Sequence, residues 1–398
     1  MSSHPARAAA LFLLLGGASP ALSLVAQEPA APRGRVLGGV PALNYDADEG
    51  FGYGVNLELY DYGPGLSPYR YTLQPALNFS TGGKRDLALF FDGPHVLPPL
   101  WRVDAFLENE RQIFAPWYGI GNATANDAAL VNDANPHYYA FDRTRTQLLL
   151  NLQRALRSAP VRLLLGAGAA RVTLDPVSRD TGTSLLAQQL GWSPGRAAPG
   201  GWSNFVRLGV VWDTRDREVG PRRGTWSELL VQRVDRALGS SSSYTRWTAS
   251  DRRYFPLGPD LTYANRLLVQ WVSGSAPFYD LSLVQTSFKQ LEGLGGAKTL
   301  RGIPKNRYVD RGMALWNAEL RWRAGRFGAL GQSWQVVLSG FSDTGRVWGE
   351  DTFSLSGLHT GYGGGARLVM GENFVVAVDA GHSSQATAPI YIGLGYLY

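Results

Sequence analysis

LEGLGGAKTLRGIPKNRYVDRG, residues 291–312, decides how the rest of the chain is read. It has neither helical nor strand periodicity, and it lies between two segments that alternate cleanly. Before it, Leu261, Tyr263, Leu267, Val269 and Trp271 oppose Thr262, Arg266 and Gln270; after it, Trp316, Ala318, Leu320 and Trp322 oppose Asn317, Glu319 and Arg321. A connection of this length without a pattern of its own is either functional or disordered. Gly293, Gly295 and Gly296, placed ahead of Leu300-Arg301-Gly302-Ile303, favour tight turns over floppiness.

Working outward, the same period of two recurs from about Arg35 onward, broken by Gly, Pro, Asn and Asp. Phe51, Tyr53, Val55, Leu57 and Leu59 share one face. Trp101, Val103, Ala105 and Leu107 oppose Arg102, Asp104 and Glu108, and Val206, Leu208, Val210 and Trp212 oppose Arg207 and Asp213. The 48 glycines, 18 tyrosines and 12 tryptophans among 398 residues favour strands over helices, because Gly weakens helices and aromatics pack on pleated surfaces. No cysteine is present, which excludes disulfides, thiolate metal sites and cysteine nucleophiles. The formal charge of +6 is mostly arginine spread along the chain, so nucleic-acid binding is a poor reading.

At the front, Arg7 precedes an apolar run from Ala8 to Leu15, followed by small residues through Ala26, the layout of a secretory signal peptide over residues 1–26. Residues 27–34 read as a short periplasmic leader, and 35–398 as one domain. Strands longer than the soluble mode fit tilted spans of an apolar band. Aromatics at strand ends (Tyr60, Tyr62, Tyr69, Tyr71, Trp101, Trp117, Tyr118, Tyr138, Tyr139) fit an interfacial girdle. The alternation of Ile390, Ile392, Leu394, Tyr396 and Tyr398 reads as a closing strand that carries a C-terminal assembly signal. Seven short connections alternate with eight of the other kind. The expectation is an all-β, transmembrane antiparallel β-barrel of 16 strands, closed on itself because lipid offers backbone groups no partners. Both termini then lie on one side, the periplasm, and a long extracellular loop folds into the lumen.

Residues 293–303 resemble the sixth extracellular loop of the BamA/TamA superfamily of outer-membrane barrels, through Gly295, Gly296, Leu300, Arg301 and Gly302, with Ile303 where the family carries an aromatic. Phe341, Asp343 and Gly345 match its Phe-x-Asp-x-Gly strand element, and Glu319 lies on the strand just after the loop. The resemblance implies that Arg301 pairs with Glu319 and Asp343 inside the barrel. Parity agrees independently, since Glu319 shares the polar face with Asn317 and Arg321, and Asp343 lies opposite Val336 and Leu338. Asp213-Thr214-Arg215-Asp216, Tyr118 to Asn122 and Tyr45 to Gly52 also fit the family. Members that handle client proteins carry periplasmic POTRA modules, and the residues between the signal peptide and Tyr45 are too few for one.

Other chemistry is weakly signalled. His382-Ser383-Ser384 near Asp379 sits in a short polar loop where such neighbours are expected, and the remaining histidines lack metal-ligand spacing. Gly361 to Gly365 resembles a phosphate loop only as a string, with no following helix. The expectation is therefore no enzyme, no metal and no cofactor. The expected partners are outer-membrane lipid, the barrel-assembly machinery during the chain's own insertion, and a periplasmic protein in place of POTRA domains. Two functions remain: envelope biogenesis, by protein insertion or translocation or by lipid transfer, and a passive porin or structural barrel with a plugging loop.

Overall fold

The computed structural model describes residues 34–46, 50–66, 68–175, 183–191, 200–329, 332–349, 356–371 and 374–398. The expected signal peptide, and the leader up to residue 33, lie outside the described residues. Alternating sequence becomes antiparallel strands: β1 (Gly34–Asp46), β2 (Gly50–Tyr62), β3 (Tyr71–Ser80), β4 (Lys84–Gly93), β5 (Trp101–Pro116), β6 (Ala140–Ala155) and β7 (Val161–Asp175). After helix α1 (Leu185–Leu190) come β8 (Gly201–Asp213), β9 (Gly224–Val234), β10 (Tyr244–Pro256) and β11 (Leu261–Gly274). The connection at 275–311 holds helix α2 (Phe278–Leu281) and a two-residue ladder, β12 (Leu283–Val284) with β13 (Leu291–Glu292). The wall resumes with β14 (Gly312–Ala329), β15 (Gln332–Trp348), β16 (His359–Met370), β17 (Phe374–His382) and β18 (Thr387–Leu394).

Sixteen of these strands form one closed barrel in sequence order, with β11 beside β14 and β18 meeting β1. The strand number is even, so both ends of the barrel chain lie at one rim, the short-turn end opposite the long connections that follow β5, β7 and β11. Register follows parity. Along β11 the inward residues Ala264, Arg266, Leu268, Gln270 and Val272 are buried, whereas Leu267 and Val269 are exposed. Along β14, Asn317, Glu319 and Arg321 are buried, while Trp316, Leu320 and Trp322 are exposed.

The amphipathicity is therefore inside out. Arg207, Arg246, Arg266, Arg301 and Arg367 head the fully buried side chains by size, while Leu208, Trp212, Leu267 and Trp322 face outward. An apolar exterior around a charged interior is stable only where the surrounding medium is apolar, which places the wall in a bilayer. No described helix is long and apolar enough to cross a membrane.

The final strand differs from the expectation. β18 stops at Leu394, and Gly395, at φ +83°, turns the following residues into the barrel. Ile392 and Leu394 lie in the strand as expected. Tyr396 and Tyr398 do not continue its alternation, and Tyr398 is buried in the lumen. Left-handed backbone at Gly395 breaks the period, and inward guanidiniums receive the two rings.

Candidate functional site: a docked loop and a short seam

The loop at 275–311 folds into the lumen because its sequence supplies both an apolar seat and polar grips. Val284, Leu294, Leu300, Ile303 and Tyr308 pack with Leu268, Met313, Leu315 and Val347 of the wall into one buried cluster. Ile303, 1% exposed, thus fills the place where an aromatic is usual in the resembling family. Gly295 (φ +121°) and Gly296 (φ +84°) make the turn that returns the chain toward Arg301. Gly293 serves close approach instead: a Cβ there would lie 2.7 Å from Asn306 Oδ1 and 3.0 Å from Ser282 O.

Arg301 is the centre of the site and has no exposed surface. Its Nε donates to Asp343 Oδ2 at 2.8 Å and its Nη2 to Asp343 Oδ1 at 3.1 Å, a two-pronged pair. Nη1 donates to Glu319 Oε2 at 3.0 Å and to Asp379 Oδ2 at 3.2 Å. Its guanidinium carbon lies 3.5 Å from the centre of the Phe341 ring, which adds a cation–π face to the in-plane carboxylates. Burial alone would lower the arginine's pKa; the charge and hydrogen bonds of Asp343, with Glu319 and Asp379, outweigh it and hold the pKa above the ordinary value. The guanidinium therefore stays charged and forked onto its acids.

The neighbouring backbone is equally confined. A Cβ on Gly361 would lie 1.9 Å from the Arg301 carbonyl oxygen, so β16 has to be bare there. Gly302 (φ +90°) sits against the backbone of Gly381 and His382, and Gly345 clears Leu294 and Leu300. The Gly361 to Gly365 string is thus a close-packing element. Ser383 donates its hydroxyl to Gly302 O at 2.5 Å, and Asp379 is held by Arg301 and Arg367, so the Ser-His-Asp-like cluster belongs to the loop seat.

Sequence reasoning missed several groups. Asp379 is a third acid on Arg301, and Arg367 and Arg321 balance it and Glu319 from the wall. Arg207 donates to the carbonyls of Thr286, Ser287 and Phe288, Arg246 to those of Leu283 and Asp280, and Arg266 to that of Lys298. Asp280 of α2 accepts from Arg145 at 3.2 Å and from Tyr244 Oη at 3.0 Å, while Glu292 pairs with Arg143 and Lys305. The signal was available: these arginines occupy inward parity positions, where an unmet cation would be costly.

The second feature is the seam. β1 pairs with β2 along its whole length, from Gly34↔Tyr62 to Asp46↔Gly50. Its other edge meets β18 at only two positions, Tyr45↔Ile392 and Asp46↔Tyr391. From Gly34 to Asn44 that edge has no strand partner among the described residues, and the adjacent Val36 and Leu37 are both exposed. A cavity of about 670 Å³ lies between the loop and this side of the wall, reached by Leu43, Ile392 and Leu394 of the seam and by Lys84, Glu108 and Lys298. Among the described residues no group of acidic or histidine side chains could hold a metal ion.

A closed transmembrane barrel with an internally locked loop and a short-paired seam defines the class of the protein. The family comparison agrees: the Omp85 superfamily domain matches residues 73–374, and the chain belongs to that superfamily of outer-membrane β-barrels. Among solved structures it is similar to BamA from Haemophilus ducreyi lacking POTRA domains 1–3, at 13% identity and a TM-score of 0.59, over 92% of this chain and 70% of that one. It is also similar to CdiB from Escherichia coli, at 12% identity and a TM-score of 0.55, over 90% of this chain and 63% of that one. At such identities the likeness is one of fold. No curated protein matches the chain in sequence.

Proposed function

We propose that this barrel acts in envelope biogenesis, inserting or translocating proteins at its seam while the Arg301 loop keeps the lumen closed. The observation that carries the reading is the contrast between the two edges of β1: a full ladder to β2, and two residue pairs to β18. Each unpaired main-chain group facing an apolar medium is costly, so an exposed edge from Gly34 to Asn44 is a template for an incoming strand. Leu300 to Ile303 are held by Glu319 on β14, by Phe341, Asp343 and Gly345 on β15 and by Asp379 on β17, so the loop is seated on the β18 side of the seam and stays with that wall when β1 parts from it. Ile392 and Leu394 serve the closing strand. The barrel sits in the outer membrane with its short turns and both termini on the periplasmic side, where a separate protein delivers clients. The reaction is a rearrangement of strand pairing, with no covalent step.

The competing reading, a passive porin with a plugging loop, draws on the cavity of about 670 Å³ beside the loop. Depletion of the protein followed by an inventory of outer-membrane proteins and lipids separates the two. Loss of particular proteins supports insertion or translocation, a change in lipid distribution alone supports lipid transfer, and no change in either supports the porin.

A further inference from the structure

Two aromatic doublets flank the first long connection, at the rim opposite the short turns. Trp117-Tyr118 follows β5 and Tyr138-Tyr139 precedes β6, so all four rings lie beyond the strand ends. In each doublet the first ring is an anchor. Trp117, 5% exposed, meets Phe278 of α2 edge-on and donates its Nε1 to Gln189 Oε1 at 2.8 Å, while the buried Tyr138 donates its hydroxyl to Gln188 Oε1 at 3.3 Å. The second ring, Tyr118 or Tyr139, is left half-buried. The Trp117 amide donates to Tyr139 O at 2.7 Å, and Tyr118 and Tyr139 stack with centres 5.1 Å apart, so the doublets form one unit. Arg307 steadies Tyr118 at 4.8 Å from its ring centre, and the Tyr139 hydroxyl accepts from the Asp127 amide at 2.9 Å.

A second cavity, of about 260 Å³, opens against Tyr118 and Tyr139. Phe114 and His137 also line it, stacked on each other with centres 4.0 Å apart and planes 7° apart. Phe114 owes its place to a slip in the β5–β6 register between Gln112 and Ala115, since a bulge re-aims the side chains it contains. Polar groups border the rings: the amides of Gln112 and Asn126, and the ammonium of Lys305, which Glu292 holds. Among the described residues no acid lines the cavity, and Lys305 repels a cation that would otherwise sit over the rings. A wholly apolar ligand would strip the amides and the ammonium of water and return no partner. A pyranose ring satisfies both demands. Its C–H faces lie on aromatic rings, and its hydroxyl edge both donates to and accepts from the amides and accepts from the ammonium. The volume falls short of the roughly 300 Å³ at which pockets for drug-sized ligands begin, which leaves room for about one or two sugar rings. Because the anchors fix the aromatic faces beforehand, little side-chain freedom is lost on binding.

We infer that the cavity bounded by Phe114, Tyr118, His137, Tyr139 and Lys305 is a carbohydrate-binding site. The sugar is either the headgroup of a membrane glycolipid or a free saccharide, two sources with the same ring chemistry. The site stands apart from the seam and from the proposed biogenesis role, on which it does not depend.

The test uses the purified full chain in micelles of a detergent without a sugar headgroup, and saturation-transfer NMR with disaccharides of glucose, galactose, mannose and N-acetylglucosamine as probes. At least one disaccharide is expected to receive saturation, most strongly at its ring C–H protons. Phe114→Ala and Tyr139→Ala, each checked as heat-modifiable on gels, are expected to weaken its binding at least tenfold. Phe114→Tyr keeps an aromatic face at the same place and should bind within threefold of the intact chain, which separates loss of the ring from loss of the fold. A folded intact chain that binds none of the probes, or alanine variants that bind as well as the intact chain, overturns the site. For the sugar that binds, a glycolipid carrying it is then added to the micelles. Displacement of the disaccharide assigns the site to a lipid headgroup, and an unchanged titration assigns it to free saccharide. No client or transport activity enters the readout, so failure here leaves the biogenesis role standing, and failure of that role leaves the sugar site standing.

Discussion

Arg301→Ala isolates the lock, and the structure says which group suffers. Of the three carboxylates that Arg301 meets, Glu319 keeps Arg321 at 2.8 Å and Asp379 keeps Arg367 at 2.7 Å. Asp343 retains only the main-chain amide of residue 301, at 3.1 Å, and becomes the uncompensated charge. Removing one partner of a buried pair costs about 3–5 kcal/mol. That cost falls on the docked loop, and at about 1.4 kcal/mol per factor of ten the undocked fraction rises roughly 10²- to 10³-fold or slightly more. Trypsin reads the change directly. Arg307 is 2% exposed in the docked loop, held by Thr124 and Gln385, so cleavage after it reports undocking. Arg301→Ala should accelerate that cut at least a hundredfold while the barrel remains heat-modifiable on gels. Adding Asp343→Asn removes the orphaned charge and should slow the cut again by at least tenfold, a non-additivity expected only of groups in contact. Cleavage at the wild-type rate in the single variant, or no recovery in the double, would show that the pair does not hold the loop.

Two further outcomes follow from the same geometry. Gly302→Ala places a side chain at φ +90° and within 2.8 Å of the His382 carbonyl oxygen. The strain is about 1–3 kcal/mol, so Arg307 should become cleavable, though less than in Arg301→Ala. Burial alone would raise the pKa of Glu292, but Lys305, Arg143 and Lys84 hold it well below the usual carboxylate range. A depressed folded-state value stabilises docking fully above the unfolded value of about 4.3 and loses that stabilisation as pH falls through the folded value. Trypsin being inactive in acid, a protease active from pH 3 to pH 6 and cutting within 286–300 serves as the probe: protection should be equal at pH 6 and pH 5 and fall only below about pH 4. Glu292→Gln should make that acid step smaller, the remainder belonging to the carboxylates on Arg301.

The barrel was legible because a bilayer wall enforces one rule at every position, apolar out and polar in, and a period of two survives even where individual residues are unusual. Glu319 and Asp343 were legible for the same reason, their parity agreeing with the motif match. Asp379 was not, because its role depends on Gly302 passing against Gly381 and His382, a contact 78 residues apart in sequence for Arg301 and Asp379 that no local pattern encodes. Arg207, Arg246 and Arg266 were visible as inward positions, yet their partners are loop carbonyls, which carry no sequence signature. Tyr396 and Tyr398 misled because alternation runs straight through Gly395; only its left-handed backbone reveals that the chain leaves the sheet. A weak seam was legible in part, because Gly393 and Gly395 weaken pairing by the last strand; that only Tyr45 and Asp46 of β1 would meet it was not, since no local pattern fixes that register.

The central claim, that the barrel works by parting β1 from β18, is tested most directly by tying the two strands together. Tyr45 and Ile392 are register partners, and opposed residues in an antiparallel pair lie within disulfide reach. With no native cysteine to compete, Tyr45→Cys with Ile392→Cys forms one defined cross-link. Under oxidising conditions the double variant should fold, insert and lose biogenesis activity, and a reductant should restore it. Full activity in a population shown by gel mobility to be completely cross-linked would contradict the account.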